Sequence, residues 1–215
     1  MREQKLQKTE HWRTNLLKDV KTNKSSVMTT NWKRKINCYK FSFLEFLALK
    51  IKPVYNLLMS WRKPVFIKEV KMAKITSKDK VLLIGGGILP SESMIITQET
   101  NANVVTIDNN KRACKHAEAF IKKTGLSDKI KIKHADGADF PVNNFDVVFI
   151  AISVWPIDTV FKNLSRNLRK GARILCKSYK EDLIGILKNE GLLESFKLES
   201  KIDNPSTRSY LFVKI

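Results

Sequence analysis

Acidic residues are scarce in this chain. Across 215 residues, 21 Asp and Glu stand against 40 Lys and Arg, a formal charge of +19. Cysteine is scarcer still, and Cys38, Cys114 and Cys176 show no paired spacing. That excludes a disulfide framework and a Cys-x-x-Cys metal knuckle, and it points to a reducing, cytoplasmic setting. The three histidines, His11, His116 and His134, lack metal-ligand spacing, and no H-E-x-x-H string occurs, so no metal centre is expected. Long apolar runs are also missing. The N-terminus has no apolar core of the kind a secretory leader needs. The most apolar stretch, residues 41–61, is broken by Glu45, Lys50, Lys52 and Pro53, and falls short of the ~20 residues that span a bilayer. A soluble protein without a membrane span is therefore expected. Neither a G-x-S-x-G elbow nor a GK[ST] phosphate loop is present, which excludes the α/β-hydrolase and P-loop chemistries.

What is there divides unevenly. Residues 1–80 hold 20 basic and 6 acidic side chains, whereas residues 81–215 hold 20 and 15. The basic excess thus belongs to the N-terminal third, where Trp12, Trp32, Phe41 and Trp61 are interleaved with it. Charge with aromatics suits backbone tracking and base stacking, so a nucleic-acid partner is one reading of this segment. A solvated lysine-rich surface is the other. The length allows one well-buried domain plus an extension. The division expected is a basic helical extension or cap over residues 1–75 and a ligand-binding domain over 76–215.

Residues 1–40 are polar and weakly periodic, with a loop around residues 22–26. The run FSFLEFLAL, residues 41–49, reads as a helix with Ser42 as cap and Glu45 three residues on. Pro53 ends or kinks it, VYNLLMSW forms a second helix stopping before Pro64, and residues 65–73 form a third. After Thr76 and Ser77 the pattern changes to short apolar runs alternating with amphipathic helices, the mark of βαβ units and a parallel sheet. Strands are predicted at 80–84, 103–107, 130–133, 146–151 and 172–176. Helices fall between them. One is capped by Ser91 and carries Met94, Ile95 and Ile96. A second, residues 110–123, has Ala113, Ala117, Phe120 and Ile121 inward and is stopped by Gly125. Further helices carry Val160, Leu164 and Leu168, and span 182–189. Two closing strands, 196–202 and 209–215, are joined by a turn through Asn204, Pro205 and Ser206. The fold class is α/β, a Rossmann-like doubly wound, mostly parallel sheet with a C-terminal antiparallel hairpin.

Four places carry chemistry. Gly85, Gly86 and Gly87 directly follow the first strand, where glycines let backbone approach a ligand and the next helix offers N–H groups to an anion. As a G-x-G-x-x-G string it is incomplete, because Pro90 takes the third position. Asp108, with Asn109, ends strand two, 23 positions after Gly85, where an acid accepts from ribose hydroxyls. Ala135 and Asp136 end strand three, where an acid accepts from an adenine amine. Ala151 to Trp155, at the end of strand four, faces the crevice of such a sheet, with Ala151 at the cofactor and Trp155 in the substrate pocket.

In this order, strand–GxG, acid after strand two, HADGADFP, NNFDVVF, GARIL and a terminal hairpin resemble the class I S-adenosylmethionine (SAM)-dependent methyltransferase superfamily over about 135 residues. Within it, VLLIGGGILPSES and FDVVFIAISV are most similar to the nicotianamine synthase group, whose loop also runs G-x-G-x-L-P. The resemblance implies SAM as cofactor, bound by the residues named above. Departures are specific. Leu83 stands where methyltransferases carry an acid two residues before the first loop glycine, and Leu89 stands where their own G-x-G-x-G loop has its third glycine. The synthases' catalytic glutamate matches no motif, and Glu45 and Glu69 are the acids between Asp19 and Asp79. The stretch AISVWP lacks both the (N/D)PP(Y/F) tetrad of amino-directed nucleic-acid methyltransferases and the cysteine of cytosine-C5 enzymes. Four functions follow: methyl transfer to a small molecule, aminocarboxypropyl transfer on the synthase pattern, RNA methylation, or a non-catalytic SAM-binding module. The sequence leaves the acceptor and the oligomeric state open.

Overall fold

The computed structural model describes residues 42–179, 183–204 and 207–215. Cys38, His11, Trp12, Trp32 and Phe41, the loop expected at 22–26 and the turn positions Pro205 and Ser206 lie outside the described residues. The element order is α1 (42–50), α2 (Lys52–Met72), β1 (Lys80–Ile84), α3 (Ser91–Thr100), β2 (Asn103–Asp108), α4 (Lys111–Thr124), β3 (Ile130–His134), β4 (Val147–Ile150), α5 (Ile157–Asn167), β5 (Arg173–Tyr179), α6 (Leu183–Asn189), β6 (Phe196–Asp203) and β7 (Thr207–Lys214). The seven-stranded sheet runs β3-β2-β1-β4-β5-β7-β6. All pairs are parallel except β5–β7 and β7–β6, which are antiparallel. The strand order reverses between β1 and β4, the place where sheets of this type open a ligand crevice.

Period-two alternation explains both layers. Along β1, Val81 and Leu83 point to one face, where they meet Phe66 and Val70 of α2, Met94 to Ile96 of α3 and Phe149 of β4. Leu82 and Ile84 point to the other, against Val160, Phe161 and Leu164 of α5 and Leu187 of α6. These four side chains are buried, with only Lys80 of β1 exposed, each burial contributing about 1.5–3 kcal/mol. A third, smaller cluster joins Ala48 of α1 and Leu58 of α2 to Leu89 of the glycine loop.

Three local readings are corrected. Instead of two helices meeting at Pro64, α2 is one helix of 21 residues with Pro64 inside it. Pro64 and Ser60 are both exposed, so water can serve the carbonyl that the missing N–H leaves open. Buried Leu58 on one side of Pro64, and Phe66, Glu69 and Val70 on the other, pin both halves to the protein. Ser91 does not cap α3. It lies inside the helix after Pro90, and its hydroxyl goes to Glu92. Ser42 is likewise already helical. The caps of α4 agree with the spacing: the Asn110 side chain accepts from the N–H groups of Arg112 and Ala113, and Gly125 closes the helix at φ 71°.

Candidate functional site

Three strand ends meet above the β1–β4 switch point. The glycine loop leaves β1 with Gly85 at φ 85° and Gly87 at φ 67°, a conformation side chains rarely adopt. Space is short as well. A Cβ on Gly85 would lie 2.6 Å from Val154 Cγ2, and one on Gly86 would lie 2.2 Å from Thr106 Cγ2. The loop is tied down through its own N–H groups: Gly85 and Gly86 donate to the Ile107 carbonyl at 2.8 and 3.1 Å. Gly87 donates to Asp108 Oδ2 at 2.8 Å, and Asn110 N–H donates to the other Asp108 oxygen at 2.8 Å. Asp108 therefore braces the loop, and each of its oxygens keeps further acceptor capacity.

Beside β2, the exposed Asp136 carboxylate takes the Ala138 N–H at 2.9 Å. The turn behind it is fixed by buried Asn163 of α5, whose amide donates to the carbonyls of Gly137 and Phe140, both at 2.9 Å. The Asn109 carbonyl stands 3.1 Å from His134 Nε2. Ala135 packs against the core on the α5 side.

A cavity of about 520 Å³ opens next to the loop. Gly85, Gly86, Gly87 and Ala151 to Ser153 form one wall of it. Ser42 and Glu45 of α1, Leu58, Trp61, Arg62, Val65 and Phe66 of α2, and Glu92, Lys177, Tyr179 and Thr207 complete the lining. Among the residues the sequence singled out, the structure brings Gly85, Gly86, Gly87 and Ala151 to the cavity. Asp108, Asn109, Ala135 and Asp136 lie along the neighbouring strand ends instead. Trp155 is not on the lining. Val154 packs against Gly85, and the chain then carries Trp155 to the surface, where it is 39% exposed. The aromatics on the cavity are Phe66, Tyr179 and Trp61, the last 67% exposed.

The two acids that fitted no motif both belong to this region. Glu45 is buried against the loop, with Oε2 3.1 Å from where a Gly87 Cβ would sit. Its Oε1 pairs with Arg62 at 2.9 Å, and Arg62 also donates to Ser91 Oγ at 3.2 Å. Burial pushes the Glu45 carboxyl above its ordinary range, Arg62 holds it down in part, and neighbouring Glu92 adds to the rise. Glu69, fully buried on α2, bonds Ser209 Oγ at 2.5 Å and Lys177 Nζ at 3.0 Å. Sequence periodicity could not reveal this, because an acid on the inner face of an amphipathic helix reads as a break in the pattern rather than as a site. The departures at Leu83 and Leu89 also gain a cause. Leu83 is a core residue of the α2–α3 face, and Leu89 is the apolar tie between loop and helices α1 and α2.

Among the described residues no group of three or more His, Cys, Asp and Glu is placed to hold a metal ion, and no helix is long and apolar enough to cross a membrane.

The family model described as "Nicotianamine synthase protein" matches residues 13–191. Of solved structures, a glutamate-to-glutamine variant of MtNAS in complex with S-adenosylmethionine is similar at a TM-score of 0.71 and 18% identity, over 89% of this chain and 80% of that one. An RNA methyltransferase from Salinibacter ruber in complex with S-adenosyl-L-homocysteine is similar at 0.58 and 15%, over 70% and 90%. A curated relative, the sterol 24-C-methyltransferase of Pneumocystis carinii (strain B80), is 31% identical over 104 residues, 46% of this chain. The chain spans only 27% of that relative's length in the match.

Proposed function

The chain belongs to the nicotianamine synthase family, and from that premise we propose that it is a SAM-dependent transferase moving the aminocarboxypropyl group onto an amine held beside Glu45. The observation that carries this is the Glu45 carboxylate. It is buried, raised in pKa by that burial, and set against the glycine loop in a cavity of about 520 Å³, a volume ordinary for small-molecule sites.

The residues fit SAM. The missing Cβ atoms let Gly85 and Gly86 pack their backbone against Val154 and Thr106 while that backbone lines the cavity. Asp108 has acceptor capacity for ribose hydroxyls, and Asp136 stands exposed one strand over for an adenine amine. SAM supplies an activated sulfonium: as the acceptor nitrogen bonds the Cγ carbon, the Cγ–S electron pair passes to sulfur and methylthioadenosine leaves.

Glu45 takes the proton that the attacking nitrogen sheds. Its raised pKa makes it a stronger base than an exposed carboxylate. Arg62 fixes its orientation through Oε1, leaving Oε2 turned to the glycine loop. Helices α1 and α2, the inner part of the basic extension, act as the wall that holds the acceptor near attack distance, and residues 76–215 provide the SAM-binding domain. The acceptor is a small molecule. Arg62 and Lys177 on the lining are matched by Glu45 and Glu92, so the excess charge of +19 does not carry into the cavity and a polyanion gains nothing there.

Methyl transfer is the second reading, favoured by the stretch similar to the sterol methyltransferase. SAM labelled in two ways separates them. Carboxyl label should enter the product and methyl label should stay with the nucleoside. Methyl label in the product would establish the second reading instead.

A further inference from the structure

The three glycine N–H groups of the loop are already engaged within the protein. Gly85 and Gly86 donate to Ile107 and Gly87 to Asp108. Leu83 and Leu89 are fully buried apolar side chains, so neither contributes a polar group. The amino-acid arm of SAM ends in a carboxylate that needs a cation or a set of donors once it leaves water.

Two cations line the cavity. Arg62 is committed to Glu45 and Ser91 on the loop side. Lys177 stands at the β5 end, its side chain 10% exposed, with Nζ 3.9 Å from the centre of the Phe66 ring. Its Nζ forms an ion pair with Glu69 Oε2 at 3.0 Å. Glu69 is itself locked by Ser209 from β7, so α2, β5 and β7 converge to hold one ammonium at the cavity wall. A fully buried glutamate is costly without such a partner, and this pairing gives it a task.

We propose that Lys177, positioned by Glu69, receives the carboxylate of the SAM amino-acid arm, so that β5 rather than the glycine loop anchors that end of the substrate. The proposal rests on the SAM reading above. It also accounts for how an enzyme of this fold presents Cγ rather than the methyl group: an arm drawn into the cavity towards β5 lies across the acceptor space.

Calorimetric titration tests it with three probes: SAM, decarboxylated SAM and methylthioadenosine, which lacks the arm altogether. Wild-type protein should bind SAM roughly 10- to 100-fold more tightly than decarboxylated SAM, the range of one charge-assisted contact. Lys177→Met should remove that preference and leave methylthioadenosine affinity unchanged, and Lys177→Arg should keep most of it. Glu69→Gln should weaken SAM and spare methylthioadenosine. Equal loss for all three probes in Lys177→Met would mark a structural role and overturn the proposal. If that variant does not fold, a wild-type ratio near one overturns it without any substitution. Wild-type protein that binds none of the probes would instead overturn the SAM reading on which it stands.

Discussion

Glu45 shows how one side chain gains chemistry from its surroundings. A carboxylate on an exposed helix face titrates near 4.5, but burial raises this one and Glu92 adds to the effect. As a base it works only when ionised, so the rate should rise with pH through a midpoint above 4.5, and Glu45→Gln should abolish that limb. The substitution removes the proton acceptor while preserving shape, and a loss of about 10²–10⁴ in kcat is expected, with SAM affinity retained. A variant with wild-type kcat would remove Glu45 from the mechanism. Gly86 makes a separate, steric prediction. Its added Cβ would lie 2.2 Å from the methyl of Thr106, a buried residue whose hydroxyl bonds Ser93 at 2.6 Å. Gly86→Ala should cost about 1–3 kcal/mol by overpacking, measured by urea unfolding. Thr106→Ser in the same chain should recover most of it, since the hydroxyl stays and the methyl goes. At this scale Gly85 to Gly87 were legible because glycine has few other reasons to cluster after a strand. Glu45, Glu69 and Lys177 were not, because their meaning comes from partners up to 140 positions away.

Among the elements, the strands were plain. β1, β2 and β4 are short runs rich in Val, Ile and Leu, and period two sorts Leu82 and Ile84 from Val81 and Leu83 without any structure. Helix α2 was not, since Pro64 reads locally as a stop. Its continuity comes from Leu58 on one side and Phe66 and Val70 on the other, a tertiary effect that propensity does not contain. Helix α4 carries its own punctuation. Asn110→Ala removes the acceptor for two N–H groups and should lower stability by about 1 kcal/mol, whereas Asn110→Asp should be nearly neutral. Thermal unfolding of the pair checks this, and an equal loss in both variants would mean that the side chain matters for something other than the cap.

Over the whole molecule, charge and site are separate. The chain carries +19, yet the cavity is lined by two cations and two carboxylates. SAM affinity should therefore change by less than about twofold between about 50 and 200 mM salt, because buried, balanced pairs are weakly screened. Any association with polyanions should fall steeply over the same range. A steep fall in SAM affinity would mean that surface charge, not the cavity, binds it. Composition made the basic excess visible but not where it ends, since only the packing of α1 and α2 against the glycine loop puts Glu45 opposite Arg62 and closes a small, balanced chamber.

The released nucleoside tests the proposed reaction most directly. Wild-type protein incubated with SAM and a primary-amine acceptor, and read by mass spectrometry, should yield methylthioadenosine, with Glu45→Gln binding SAM and releasing almost none. S-adenosylhomocysteine as the product would contradict aminocarboxypropyl transfer and leave a methyltransferase built on the same site.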